Sequence, residues 1–152
     1  MPNARRFTIE ITARSRADAA TIFALETDGA RWSSWARPLV PQSAWERQGD
    51  PAPGGVGAVR LLGLRPLWVR EETLAYEQDR RHEYLMLTPM PIRDYRAELV
   101  LTPAGDGTDV VWRGSFEERI PGTGKVFRVL VRGLLSVLTR RLLAAAERAA
   151  RR

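Results

Sequence analysis

Apolar and polar residues alternate from Phe7 to Ala13, with Phe7, Ile9, Ile11 and Ala13 on one side and Thr8, Glu10 and Thr12 on the other. This is the period of a half-buried strand. A short helix is expected from Ser15, with Ser15 and Asp18 at capping-box spacing and Ala20, Phe23 and Ala24 as its inward face through Leu25. Positions 28–38 read as a second short helix or turn carrying Trp32 and Trp35. Strands are then expected over 43–48, 56–64, 67–76, 83–88, 95–102 and 109–118, the second and third of these runs both dense in β-branched or large apolar residues. Turn chemistry separates them: DPAPGG from Asp50, Arg65-Pro66, a polar turn at 77–81, Pro89 to Pro91, and the AGDGT hairpin from Ala104. Tyr95, Ala97, Leu99 and Leu101 share one face of their strand, as do Val110, Trp112, Gly114 and Phe116 of the next. With the first strand this makes seven.

The period then changes. After Pro121 and Gly122, Thr123 is a candidate N-cap, and Lys125 to Leu143 contain no Pro and one Gly. At about 100° per residue, Arg128, Arg132, Ser136, Thr139 and Arg140 form a polar stripe opposite Phe127, Leu130, Leu134, Val137, Leu138 and Ala145. Arg141 breaks the pattern, projecting near the centre of the apolar face. There it either snorkels past the sheet to water or places a cation at the end of a buried space. A long helix after a run of antiparallel strands implies an α+β fold in which a bent sheet wraps the helix.

At 152 residues the chain suits one domain, 1–152, able to bury a sizeable core. It has no Cys, so thiolate metal sites, disulfides and cysteine nucleophiles are excluded. No apolar h-region follows the basic N-terminus and no run of 18 apolar residues occurs, which makes cytoplasmic the default expectation. The net charge of +6 is concentrated at the C-terminus, where eight basic residues from Lys125 onward face Glu147 alone. Such a helix face is either simply solvated or makes peripheral contact with an anionic membrane. No nucleic-acid-binding signature is present, so no nucleic-acid partner is expected.

Several stretches carry a resemblance. The element order, the D-x-x-x-W-x-x-W spacing of Asp28, Trp32 and Trp35, VGAVR from Val56, VREE from Val69, DRRHEY from Asp79, DYRAELVLTP from Asp94, GTDVVW from Gly107 and the Phe116–Gly124 junction are together similar to the START-like helix-grip (SRPBCC) superfamily, and to its bacterial polyketide cyclase/dehydrase-like branch. The resemblance implies a cavity between the sheet and the C-terminal helix. It also implies either binding of a lipid, polyketide or related metabolite, or cyclase, aromatase or dehydratase activity on a poly-keto substrate. An interaction module using the basic helix is a further alternative. In the aromatase/cyclases an inward Arg with nearby Tyr and Trp positions the polyketide, and Arg60 is the matching residue here.

The residues themselves offer few chemical groups. Arg60 and Glu71 lie on consecutive strands, where alternation leaves their face open: inward they orient a polar head group, outward they form a solvent-exposed ion pair. Candidate catalytic groups are Arg60, Glu71 and Tyr95. Candidate ligand contacts are Trp35, Arg60, Glu71, Tyr84, Met86, Tyr95, Leu99, Trp112, Phe116, Leu130, Leu134 and Arg141. Small residues at Gly57, Gly63, Ala97 and Gly114 would leave room among the aromatics. His82, the only histidine, is expected in an exposed turn, so neither a His-based triad nor a multi-histidine metal site can be assembled. GGVG from Gly54 lacks the Lys-Ser/Thr of a phosphate loop. No metal or cofactor is expected; the expected partner is a hydrophobic small molecule, with the protein a monomer or homodimer.

Overall fold

The computed structural model describes residues 5–152; residues 1–4, the start of the N-terminal segment in which no leader is expected, lie outside the described residues. Strand β1 (Arg6–Ser15) is followed by helix α1 (Ala19–Thr27), a single 3-10 turn (Gly29–Arg31) and helix α2 (Trp32–Trp35). Six strands follow: β2 (Gln42–Arg47), β3 (Val59–Leu64), β4 (Leu67–Glu77), β5 (Arg81–Met86), β6 (Ile92–Ala104) and β7 (Gly107–Glu118). Helix α3 (Gly124–Ala150) completes the chain. All strands join one antiparallel sheet in the order β1-β7-β6-β5-β4-β3-β2, so every neighbour but the β1–β7 pair is also a neighbour in sequence. This is the helix-grip architecture, a bent sheet around a long C-terminal helix.

Register shifts interrupt the ladder between Thr73 and Ala75 in β4 and between Arg93 and Arg96 in β6. Such bulges increase local twist and let the sheet curl over the helix. Asp94, at φ 50°, sits in the β6 bulge, where Asp tolerates the left-handed region better than most residues. Along β6 and β7 the expected inward faces are buried: Tyr95, Ala97, Leu99 and Leu101 on one, Val110, Trp112, Gly114 and Phe116 on the other.

Local corrections concern the helices. Strand β1 continues through Ser15, and α1 begins at Ala19 with Asp18 as its N-cap, accepting from the Thr21 amide at 2.9 Å. The Ser15 hydroxyl accepts from Ala17 N and donates to Glu147 of α3 instead of capping a helix. The buried residues of α1 are Ala19, Ile22, Phe23, Leu25, Glu26 and Thr27, while Ala20 and Ala24 face water. Thr123 is in a helical conformation with no capping bond. Glu118 Oε2 accepts from the amides of Gly122 and Gly124 in its place, a carboxylate at the positive end of the α3 dipole.

The largest correction is the rotation of α3. Its buried stripe is Leu135, Leu138, Thr139, Leu142, Leu143 and Ala146, so Thr139, expected among the polar residues, is inside and donates to the Leu135 carbonyl. Arg141 is exposed, clear of any buried space. Leu130 and Leu134 stand 60% and 44% exposed at the rim. An apolar arc wider than the core requires left the phase ambiguous in sequence, and packing against β1 and α1 selected one edge of it.

Candidate functional site

The two indoles of the D-x-x-x-W-x-x-W segment terminate α1. Trp32 Nε1 donates to the Glu26 carbonyl at 2.7 Å and Trp35 Nε1 to the Leu25 carbonyl at 3.3 Å, satisfying acceptors the helix end leaves open. The rings pack on each other with centroids 4.6 Å apart. Asp28 turns the chain by accepting from Ala30 N. Gly29 then lies so close to β3 that a Cβ would come within 2.7 Å of Arg60 Cβ, which fixes the end of α1 directly over that strand.

Beneath it is a buried ionic cluster. Arg60 on β3 and Glu71 on β4 are paired across the ladder and both point inward, at 3% and 6% exposure. The solvent-face alternative is thereby excluded. Arg60 Nε donates to Glu71 Oε1 at 3.0 Å, Nη1 to the Glu26 carbonyl at 2.7 Å, and Nη2 to Glu26 Oε1 at 3.2 Å. Trp32 and Tyr84 cover the guanidinium, their ring centroids 4.4 and 4.6 Å from Cζ. Placing a cation against aromatic faces in a dry setting strengthens both contacts.

His82 is not where the sequence placed it. It is 1% exposed rather than in an exposed turn, because it shares the inward face of β5 with Tyr84 and Met86. Its Nδ1 lies 2.7 Å from Glu26 Oε2 and 3.1 Å from Oε1, with hydrogen-bond geometry satisfied only at Oε1. Nε2 pairs with the Thr73 hydroxyl at 3.0 Å. Glu26, fully buried, was missed in the sequence although the signal was present: it occupies the apolar spacing of α1 after Ala19, Ile22 and Phe23.

The two carboxyl groups differ. Burial pushes Glu26 up, yet the nearby charges of His82 and Arg60 outweigh it and hold the group below the usual carboxylate value. For Glu71, burial outweighs the pull of Arg60 and the group lies above it, with the negative charge of Glu26 adding to the rise. Burial also lifts the phenols of Tyr84 and Tyr95, so both remain proton donors at any physiological pH. Tyr84 Oη accepts from Trp112 Nε1 at 3.2 Å, which orients it.

A cavity of about 360 Å³ opens beside this cluster, between the β3–β6 side of the sheet and the first half of α3. Glu71, Tyr84 and Tyr95 supply its titratable groups, and Trp32, Leu62, Val69, Met86, Val131 and Leu135 are among its apolar walls. Leu130 and Leu134 lie at the rim with Leu39 and Met90, all partly open to water. Of the residues expected to contact ligand, Glu71, Tyr84, Met86, Tyr95, Leu130 and Leu134 line this space.

The others do not. Leu99, Trp112 and Phe116 are completely buried in the core: Phe116 stacks on Phe7 at 5.5 Å, and Trp112 meets Trp32 edge-on at 6.1 Å. Trp35 is engaged at the end of α1, Arg60 lies behind Glu71 and Tyr84, and Arg141 is in solvent. Among the small residues, only Gly63 borders the cavity. The space over Gly114 is taken by the Tyr95 hydroxyl and Leu135, Ala97 is packed in the core, and Gly57 precedes β3 in a turn.

The fold recurs in solved structures of low sequence similarity. A START superfamily protein from Mycobacterium smegmatis is 14% identical and superposes with a TM-score of 0.78 over 93% of this chain and 98% of its own. A norcoclaurine synthase point mutant from Thalictrum flavum, solved with a transition-state analogue, is 14% identical with a TM-score of 0.73, over 96% and 97%. The di-domain aromatase/cyclase of the steffimycin biosynthetic pathway is 13% identical with a TM-score of 0.74, over 96% of this chain and 51% of that one. No curated protein matches in sequence. The model of the family described as polyketide cyclase / dehydrase and lipid transport matches residues 6–151, and the chain belongs to that family.

Proposed function

We propose that the protein binds a hydrophobic small molecule, a lipid, polyketide or related metabolite, in the cavity between the sheet and α3. The observation that carries this reading is the cavity itself: about 360 Å³ of space with aromatic and aliphatic walls and a few polar groups gathered at one side. That volume lies at the lower end of small-molecule sites, roughly 300–1,000 Å³. A ligand burying on the order of 200 Å² of apolar surface there gains about 5 kcal/mol from the hydrophobic effect. The open rim at Leu130 and Leu134 supplies an entrance without unfolding of the core.

Cyclisation or dehydration of a bound poly-keto chain is a second reading, favoured by Glu71 and the phenols of Tyr84 and Tyr95 on one wall. In that chemistry the cavity folds the chain so that its reacting carbons meet, which lowers the barrier by paying the ordering entropy on binding. A carboxyl group raised by burial then delivers a proton to a developing alkoxide. Both readings require binding, so one experiment comes first. Native mass spectrometry of the purified protein, with extraction of any co-purifying molecule, is compared with a Val131→Trp variant whose indole fills the cavity. A stoichiometric apolar adduct on the parent, absent from the variant, supports the reading. No adduct, and no uptake of lipid or polyketide probes by either protein, defeats it.

A further inference from the structure

Among the described residues the cavity is lined without Lys, Arg or His, and Glu71 is its single ionisable carboxyl. Arg60 is close, yet each of its guanidinium nitrogens already donates within the protein, and Trp32 and Tyr84 cover it. Glu71 is placed differently. Its Oε1 accepts from Arg60, while no donor among the described residues reaches Oε2, and the side chain keeps 8% exposure at the cavity wall.

We propose that Glu71 is the ligand-orienting group of the cavity: as the neutral acid it donates a hydrogen bond from Oε2 to an uncharged acceptor, such as a ketone or ester oxygen, on an otherwise apolar ligand. The site therefore discriminates against carboxylate anions of the same size. This rests on the cavity being a binding site and adds the chemical class of what it takes.

Charge balance within the cluster supports the assignment. The groups packed around Glu71 are Glu26 from α1, Arg60 from β3, His82 and Tyr84 from β5, and Tyr95 from β6; α3 brings only apolar side chains to the wall. Each carboxyl accepts one guanidinium N–H of Arg60, but that of Glu26 also faces His82 Nδ1, while its carbonyl accepts a further Arg60 N–H. Two carboxylates competing for one Arg in a dry setting push one of them to keep its proton. Glu71 is the one displaced toward the acid form: burial outweighs the attraction of Arg60, the negative charge of Glu26 adds to the rise, and no second cation contacts its carboxyl as His82 contacts that of Glu26. A ligand carboxylate entering this space would shed its hydration shell and meet no free cation. A ketone loses little hydration and finds an O–H. Because the Glu71 carboxyl lies above its ordinary value, rising pH ionises it later than a surface glutamate and then removes the donor.

The test uses three probes that share one ring system: 2-acetylnaphthalene, 2-ethylnaphthalene and 2-naphthoate, titrated calorimetrically into the protein across a pH series from mildly acidic to alkaline. One neutral hydrogen bond corresponds to a preference of about fivefold for the ketone over the hydrocarbon. That preference is lost in Glu71→Leu and kept in Glu71→Gln, whose amide N–H replaces the acid O–H. The parent loses it toward high pH and the Gln variant does not. Naphthoate binds the parent roughly tenfold or more weakly than the ketone. Equal or tighter binding of naphthoate, or an unchanged ketone preference in Glu71→Leu, overturns the assignment while leaving the cavity reading intact. Failure of all three probes to bind defeats the cavity reading, and the assignment with it.

Discussion

Glu26 and Glu71 share Arg60, and the structure gives them opposite energetic roles that two isosteric substitutions separate. Glu26→Gln removes a fully buried charge that faces both Arg60 and His82. Removing one member of a buried pair costs about 3–5 kcal/mol because the survivor stays buried without its counter-charge. The amide oxygen can still accept from Arg60. Loss of the Glu26 charge also relieves Glu71, which then ionises more readily and partly replaces the lost partner. A net loss of about 2–4 kcal/mol at neutral pH follows, or roughly 4–16 °C in Tm for a chain of this size.

The pH dependence carries the sign. Glu26 is held below its unfolded value of about 4.3, so its contribution is complete above that pH and is lost as pH falls through the folded value. The gap between the parent and Glu26→Gln should therefore narrow in acid. Glu71 lies above its unfolded value, so its stabilising contribution is complete below that value and is lost as pH rises through the folded one. Glu71→Gln, which cannot titrate, should match the parent within about 1 kcal/mol at pH 7 and gain on it as pH increases. Urea denaturation of the three proteins across the acid-to-alkaline range measures all of this. The reasoning fails if Glu26→Gln unfolds within about 0.5 kcal/mol of the parent at neutral pH, or if the two variants show the same pH slope.

Further outcomes follow from particular contacts. Trp112→Ala should cost about 3–5 kcal/mol in chemical denaturation while changing probe affinity little, since Trp112 is completely buried and does not border the cavity; a large affinity change with intact stability would make it a cavity wall. Val131→Trp should block ligand uptake without lowering Tm by more than a few degrees, read by native mass spectrometry and thermal scanning. Gly124→Ala places a Cβ about 2.1 Å from the Phe7 ring, so a loss of about 1–3 kcal/mol is expected from overpacking; wild-type stability would mean that the α3 N-terminus shifts freely. Asp18→Ala should lose about 1 kcal/mol with the α1 N-cap, measured by the denaturation midpoint.

Much of the architecture is legible in the sequence alone. Alternation marks three of the seven strands and apolar runs bounded by turns mark the rest, and the breakers at 50–55, 65–66 and 104–108 separate them because Pro fixes φ while Gly admits the conformations a turn needs. The inward faces of β6 and β7 also followed from alternation, since a sheet with one buried face leaves no other register. The phase of α3 did not follow. Its apolar residues span more of the helix circumference than one contact needs, and the choice of Leu135, Leu138 and Leu142 over Leu130 and Leu134 was made by β1 and α1 packing against it.

The site divides along the same line. Residue types on each strand are local information, and His82 and Glu26 each stand on an apolar period that marks them as inward, although a charged type suggests water. What a one-dimensional pattern cannot contain is which inward groups meet. Glu26 and His82 are 56 positions apart, and Arg60 and Glu71 acquire their meaning only when the end of α1 closes over β3. The sequence determined the elements and the pool of polar side chains, because backbone periodicity is a short-range property. Tertiary packing decided that Arg60 is engaged by two carboxylates, that Trp112 and Phe116 fill one half of the grip, and that Glu71 alone turns a carboxyl toward the space left in the other half.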